Sequence, residues 1–446
     1  MSGDYWSLTF EADGTVQDLR TAAGAVTDAA AFIADLRGSG ATDLFVMSHG
    51  WGNSEQDAEH LYDHMFPLIK ADPACPAGAR FLGVFWPSLW FPDPPPAAQA
   101  EVATAVAAGQ PGKADAAVTG QAIADSLSPS MDGATGDLKQ MGELIDKGLA
   151  GAQNGTMTQQ EQSAALDDFH SRFQQVFGGA QVATEDSGEG ALMTSPDAKK
   201  NYQKLSETMG SVPDGGDAQD LGGIFGKVWN GAKDALRIGS YFQMKARAGD
   251  VGQKGLGPFL EQLHAAPIRV HLIGHSFGAR LVSFALAGIS SGDKSPVASL
   301  TLVQGAFSHW AFTQAGDNPF GSAGALCDYI DRVNGPLAAT FTSADWAVGN
   351  WYPKASFLSH QDVEGDEPAG QWDGMGKDGF QAVQPSAELT LPLAGPPPTL
   401  NRGSFYRADA NAVINNTSLS AFAGAHSDII KPEVAGLIAA MASAHG

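Results

Sequence analysis

The sequence contains few cysteines and no long apolar run. Its 446 residues include 2 cysteines, Cys75 and Cys327, which excludes a disulfide framework and a cysteine-rich zinc site. No uninterrupted apolar segment approaches the length of a membrane-spanning helix, and the N-terminal residues lack the basic and apolar regions of a signal peptide. These absences predict a cytoplasmic protein without stable membrane insertion.

Positive charge is also scarce. The chain has 26 Lys and Arg residues against 49 Asp and Glu residues, which gives a net charge of −23. A surface this negative repels phosphate backbones and anionic lipids, so we expect no nucleic-acid partner. Because 43% of the residues are hydrophobic and 17% are charged, the composition favours a globular protein with a sizeable core over a mostly disordered chain.

Short apolar segments alternate along the chain with segments of helical periodicity. The predicted strands lie at 43–47, 80–86, 268–273, 298–303, 337–342 and 404–407. The predicted helices lie around 58–68, 326–333 and 433–441. Several of the strands are apolar on both faces, which is typical of an α/β fold with a mostly parallel sheet and helices on both faces.

Residues 91–225 interrupt this alternation. They begin with a proline-rich run and are rich in Ala, Gly, Asp and Gln, with apolar residues at helical spacing over 138–149 and 166–177. We therefore interpret 1–90 and 226–446 as one α/β core and 91–225 as an inserted, mostly helical cap. Disorder of its Gly- and Asp-rich ends is the alternative. A second Pro- and Gly-rich segment, 365–398, is predicted to be a loop.

The pentapeptide GHSFG at 274–278 predicts a nucleophile. It follows a predicted strand and precedes residues of helical spacing, and so tight a strand-to-helix turn holds its central serine exposed on a strained backbone. Ser276 is the candidate nucleophile, and the alternative is a structural serine in a strand–helix loop. A second match, GISSG at 288–292, follows a helix and leads into a turn, so Ser290 is not favoured.

A serine nucleophile needs a base, which in the order serine, acid, histidine lies downstream of Ser276. His426 stands in a loop of small residues after the last predicted strand, where such sheets gather reactive groups. His360 is the weaker rival. His309 follows the next predicted strand so closely that no acid could lie between that strand and the histidine, and His445 lies in the terminal tail. The alternative for His426 is a loop residue that caps the final helix.

The base in turn needs an acid that orients it. Asp345 follows the predicted strand at 337–342 and is the favoured candidate, with Asp317, after the preceding strand, as the main rival. Asp428 is expected to cap the last helix or to hold its loop.

Acyl transfer also requires donors for a developing oxyanion, and backbone N–H groups stabilise one best. Phe277, directly after the candidate nucleophile, supplies one amide. The SHGWG segment at 48–52 follows an early strand, and the amide of Trp51 is the predicted second donor. An ordinary glycine turn is the alternative. We expect His49 to fix the loop rather than to act as a base.

Together, the SHGW segment at 48–51, the GHSFG segment, Asp345 and His426 resemble the α/β-hydrolase superfamily, on its lipase and esterase side. The resemblance covers the two core segments and leaves the insertion without a counterpart. It implies an α/β-hydrolase fold and hydrolysis of a small-molecule or acyl-ester substrate through an acyl-enzyme, without a metal or organic cofactor. The large insertion and the long Pro- and Gly-rich segment between Asp345 and His426 depart from the pattern.

Two other functions remain open at this point. A peptidase or amidase would use the same three residues, and a non-catalytic binding or scaffold protein would use the fold with the insertion as an interaction surface. A dinucleotide-binding oxidoreductase is disfavoured because no G-x-G-x-x-G follows a predicted strand with an acid in the expected place.

Overall fold

The computed structural model of the chain has an α/β architecture. It describes residues 4–50, 54–88, 119–128, 131, 133–177, 200, 202–203, 205–206, 221–319, 321–348, 373–394, 399–420 and 423–444.

The described residues form one nine-stranded sheet with the strand order β2-β1-β4-β3-β5-β6-β7-β9-β8. The strands are β1 Trp6–Phe10, β2 Val16–Arg20, β3 Asp43–Ser48, β4 Ala79–Phe85, β5 Arg269–His275, β6 Val297–Val303, β7 Leu337–Phe341, β8 Ser386–Thr390 and β9 Phe405–Asp409. The pair β1–β2 is antiparallel and every other neighbouring pair is parallel. The prediction of a mostly parallel α/β sheet is confirmed.

Helices cover both faces of this sheet. The α-helices are α1 Ala29–Gly38, α2 Glu55–Ala71, α3 Gly120–Leu127, α4 Thr135–Asn154, α5 Gln159–Phe177, α6 Leu221–Asp250, α7 Gly257–Gln262, α8 Phe277–Ala287, α9 Met375–Asp378 and α10 Pro432–Ser443. One apolar core lies between the sheet and α1, α6 and α8, and a second lies between the sheet and α2 and α10. Because helices cover both faces of the sheet, β3 is buried along its whole length and residues 44–47 are all apolar.

The helices α3–α6 lie in the chain between β4 and β5, as the composition of this region predicts. Gly148 of α4 lies so close to Trp229 of α6 that an added Cβ would come within 2.1 Å of the indole. The Trp229 indole N–H donates to the Gln162 side chain of α5 over 2.6 Å. Interlocking contacts of this kind join α4, α5 and α6, and α6 continues across the predicted boundary at residue 225.

Some elements differ from the sequence predictions. Strand β8 lies inside the segment predicted as a loop, because it is an edge strand whose mostly exposed side chains carry no apolar signal. The hairpin of β1 and β2 was not predicted, and Cys327–Arg332 is a 3₁₀ helix where helical spacing predicted an α-helix. Among the described helices, none combines the length and apolar character that a bilayer-spanning segment needs.

The carboxyl ends of the parallel strands lie at one edge of the sheet, and the loops that follow them meet there. The loops after β3, β5, β6, β7 and β9 carry His49, Ser276, Gln304, Asp345 and His426, respectively.

Candidate active site

Ser276 is the single residue between β5 and α8. Its backbone has φ 57° and ψ −123°, a conformation that is costly for a residue with a side chain. Two backbone hydrogen bonds to the neighbouring strand and loop hold it, from the Ser276 N–H to the Val303 carbonyl (3.2 Å) and from the Ala306 N–H to the Ser276 carbonyl (3.1 Å). The strained strand-to-helix turn predicted from the sequence is therefore present.

The glycines on either side of Ser276 allow the backbones to approach closely. A Cβ on Gly274 would lie 2.4 Å from the Cα of Ala279, and a Cβ on Gly278 would lie 2.3 Å from the carbonyl oxygens of Ser48 and His49. The N-terminal turn of α8 thus packs directly against the end of β3.

Asp345 and His426 form a buried hydrogen-bonded pair. The distance from His426 Nδ1 to Asp345 Oδ2 is 2.7 Å, and the Asp345 side chain is fully buried. The other carboxylate oxygen, Oδ1, accepts the backbone N–H of Val348 over 3.2 Å. A carboxylate accepts only, so the proton lies on Nδ1 and leaves Nε2 as the basic nitrogen of His426.

Backbone pairing holds the two loops together. The Ala425 N–H donates to the Ala344 carbonyl (2.9 Å), and the Trp346 N–H donates to the Ala423 carbonyl (3.1 Å). These bonds flank Asp345 on one loop and lie directly before His426 on the other, so the geometry of the pair is set by the backbone as well as by the side chains.

His275 joins this pair to the turn that carries Ser276. Its Nε2–H donates to the His426 carbonyl over 3.0 Å, and the two imidazole centroids are 5.0 Å apart. Burial, together with the neighbouring His426, lowers the pKa of His275 to about 3, so this ring is a neutral donor. The structure thus places the His426–Asp345 pair beside the turn that carries Ser276.

The loop after β3 lies against Ser276. A Cβ on Gly50 would come within 2.5 Å of the Ser276 Cβ, so this position admits glycine alone without displacement. The His49 N–H donates to the Tyr62 hydroxyl (2.9 Å), and the Trp86 indole N–H donates to the His49 carbonyl (3.2 Å). Trp51, the predicted second oxyanion donor, lies outside the described residues.

His49 has the environment of a loop-fixing residue. Its ring stacks on Trp86 at 5.6 Å between centroids, and its Nδ1–H donates to the Gly50 carbonyl over 2.9 Å. Burial lowers the pKa of His49 to about 4, which keeps the imidazole neutral.

Phe277, the predicted first oxyanion donor, is the first residue of α8. Backbone N–H groups in the first turn of a helix have no acceptor within the helix and can donate to a group at its N-terminal end. The Phe277 ring contacts Tyr241 of α6, with 5.0 Å between centroids. Helix α6, which begins inside the predicted insertion and continues beyond it, therefore reaches the turn that carries Ser276.

The rival residues lie elsewhere or are outside the described part of the chain. Asp317 is exposed in the loop after β6, and Ser290 is an exposed residue whose hydroxyl donates to Glu261 over 2.8 Å. His309 pairs with Asp378 at 2.7 Å. His360 and His445 are outside the described residues.

Asp428 has the loop-holding role expected of it. It accepts the backbone N–H groups of Asn415 and Asn416 at 3.2 and 3.0 Å and pairs with Lys431 at 2.8 Å.

A second set of Ser, His and Asp was not predicted. The Ser299 hydroxyl lies 2.8 Å from His271 Nδ1, and His271 Nε2 lies 2.8 Å from Asp43 Oδ1. All three residues are buried within β3, β5 and β6, and the strand backbone gives Ser299 no strained turn. Spacing in the sequence gave no signal for this set, because the three residues meet only through strand pairing.

Gln304 is another residue that the sequence patterns missed. It follows β6 directly, has φ 48°, and donates from Nε2 to Asp345 Oδ2 over 2.8 Å. Among the residues that the structure describes, no cluster of three or more His, Cys, Asp or Glu side chains could hold a metal ion.

The chain matches no family model, no curated protein and no solved structure. Inference about its function therefore depends on the geometry of this site.

Proposed function

We propose that the protein is a serine hydrolase that cleaves carboxylic esters through an acyl-enzyme on an α/β-hydrolase fold. The observation that carries this proposal is the buried His426–Asp345 pair, joined through His275 to the strained turn at Ser276. A scaffold needs neither the strained backbone nor a carboxylate that fixes the tautomer of a neighbouring imidazole.

In the proposed reaction, Ser276 Oγ attacks the acyl carbon while His426 Nε2 accepts the hydroxyl proton. Collapse of the tetrahedral intermediate expels the alcohol, which takes that proton from His426. A water molecule then attacks the acyl carbon while His426 takes its proton. Collapse of this second tetrahedral intermediate breaks the bond to Ser276 Oγ, which takes the proton from His426 as the carboxylic acid leaves. Asp345 stays ionised throughout and stabilises the imidazolium that forms in each step.

The oxyanion of each tetrahedral intermediate would be held by the backbone N–H groups of Phe277 and Trp51. The close approach of Gly50 to Ser276 supports this assignment, because it brings the loop after β3 against the nucleophile. The preference for esters over amides rests on the resemblance to esterases and lipases.

A labelling experiment with two serine variants tests the proposal. A fluorophosphonate probe should label the wild type, and Ser276→Ala should abolish labelling and lower p-nitrophenyl ester turnover by about 10³-fold or more. The matched control is Ser299→Ala, which removes the serine of the second Ser–His–Asp set and should leave labelling unchanged.

Each alternative predicts a different result. Faster turnover of anilides than of esters would favour a peptidase or amidase with the same residues. Absence of labelling in the folded wild type by any serine-directed probe would favour a binding or scaffold protein. Persistent labelling of Ser276→Ala would place the nucleophile at another residue.

A further inference from the structure

Gln304 occupies an unusual position at the carboxyl end of β6. Its backbone has φ 48°, in the left-handed region that residues with side chains rarely adopt, and its side chain is fully buried. A buried amide on a strained backbone persists only where its surroundings determine its position.

Both polar atoms of the Gln304 side chain have hydrogen-bond partners. The Thr340 hydroxyl donates to Oε1 over 2.9 Å, and Nε2 donates to the Gly376 carbonyl over 3.0 Å and to Asp345 Oδ2 over 2.8 Å. The Gln304 backbone N–H donates to the same Thr340 hydroxyl oxygen over 3.0 Å. A flipped amide would turn its oxygen towards two acceptors, so the network fixes Nε2 against the carboxylate.

Asp345 Oδ2 is thus shared by two donors. It accepts from Gln304 Nε2 and from His426 Nδ1, which lie 2.8 and 2.7 Å away. Donors to a carboxylate stabilise its ionised form and fix its orientation. The ionisable neighbours are His426, bonded to Asp345, and His275, bonded to the His426 carbonyl.

We propose that Gln304 is a positioning residue for the Asp345–His426 pair. Its amide holds the carboxylate in the orientation in which Asp345 Oδ2 accepts the Nδ1 proton of His426. This inference rests on the proposed hydrolase function for its effect on turnover, whereas its effect on the hydrogen-bonded proton can be measured independently.

Gln304→Gly removes the amide from a backbone that glycine adopts without strain, so the variant should fold. We expect kcat for a p-nitrophenyl ester to fall about tenfold to a hundredfold while KM changes little, because the amide acts on the base and not on the substrate. The matched control is Ala382→Gly, which relieves a similar φ of 47° at an exposed residue and should leave kcat unchanged.

Gln304→Glu places a second carboxyl group beside Asp345, and the two groups then share a proton. In its protonated form the introduced carboxyl group donates to Asp345 as the amide does, but its ionisation at higher pH removes that donor and adds a repelling charge. The ratio of variant to wild-type kcat should therefore fall about tenfold as pH rises through this ionisation. A residue needed only for folding would lower activity by the same factor at every pH.

The low-field ¹H NMR resonance of the His426 Nδ1 proton provides a readout that needs no turnover. It should be visible in the wild type and in Ala382→Gly, and it should shift or disappear in Gln304→Gly. An unchanged resonance together with wild-type kcat in Gln304→Gly would overturn the inference. If the resonance responds as expected but the wild type resists fluorophosphonate, the hydrolase proposal fails and the positioning role stands.

Discussion

Two sets of Ser, His and Asp belong to the same sheet and differ in their setting rather than in their residue types. Ser276 occupies a turn with φ 57°, whereas Ser299 lies within the regular strand β6. Burial lowers the pKa of His271, despite the opposing effect of Asp43, so its set is a buried hydrogen-bonded network. Residue type alone does not identify a nucleophile, and the backbone that presents the hydroxyl separates the two sets.

The candidate site could be predicted only where a residue stood in a recognisable sequence pattern. Ser276, Asp345 and His426 follow strands whose apolar character is visible in the sequence, so their loops were located correctly. Gln304 also follows such a strand, but a lone glutamine carries no pattern. Its importance depends on Thr340 and Asp345, which lie beside it only after β6 and β7 pair.

Removal of the Asp345 charge gives a prediction at this scale. Asp345→Asn should lower kcat by about 10²- to 10⁴-fold, since an amide neither stabilises the imidazolium nor accepts from His426, Gln304 and Val348 together. Steady-state kinetics with a p-nitrophenyl ester measure the effect. The matched control is Asp317→Asn in an exposed loop, and equal losses in the two variants would contradict the assignment of the acid.

At the scale of elements, the end of β3 and the first turn of α8 determine the shape of the site. The GHSFG segment was predicted to join a strand to a helix, and β5 and α8 confirm that prediction. The exact approach of α8 to β3 could not be predicted, because it depends on a parallel pairing between segments far apart in the sequence.

A single added methyl group tests the close packing of α8 against the end of β3. Gly278→Ala places its Cβ 2.3 Å from two backbone oxygens at the end of β3, so one element must shift. We expect a loss of about 1–3 kcal/mol in the free energy of unfolding and at least tenfold slower fluorophosphonate labelling.

The matched control for this variant is Gly136→Ala in α4, where an added Cβ meets nothing within 4 Å. This change should be neutral or stabilising by up to about 1 kcal/mol, because alanine favours a helix over glycine. Denaturant unfolding and labelling rates measure both variants, and equal stability of Gly278→Ala and the wild type would show that the close packing is not required.

At the scale of the whole molecule, sheet topology assembles a site from segments distant in sequence. Ser276, Asp345 and His426 follow β5, β7 and β9, which belong to one parallel array. Alternating strand and helix patterns were sufficient to predict that array. The edge strands β2 and β8 were missed because their mostly polar residues lack the apolar signal on which the prediction depends, and the buried strand β1 beside β2 was missed as well.

The buried imidazoles make the stability of the whole molecule depend on pH. Burial lowers the pKa of His49 to about 4 and that of His275 to about 3, below the value of 6.5 that each has when exposed. Between these values the unfolded chain binds protons that the folded chain excludes, so stability falls as pH decreases. The full loss is about 3 kcal/mol for His49 and about 5 kcal/mol for His275, spread from about pH 6.5 down to the folded pKa values.

Asp43 adds a separate loss at lower pH. Although burial raises its pKa, hydrogen bonds from His271, Thr42 and Arg269 lower it to about 2 from 3.8, so its contribution is present above about pH 4 and lost below. Denaturant unfolding at intervals from pH 7.5 to pH 4 should therefore show a decline to which the buried imidazoles contribute before Asp43 does. His49→Gln, which cannot titrate, should make that decline shallower by about one proton equivalent, whereas a wild-type stability that stays constant across this range would contradict the neutral burial of both rings.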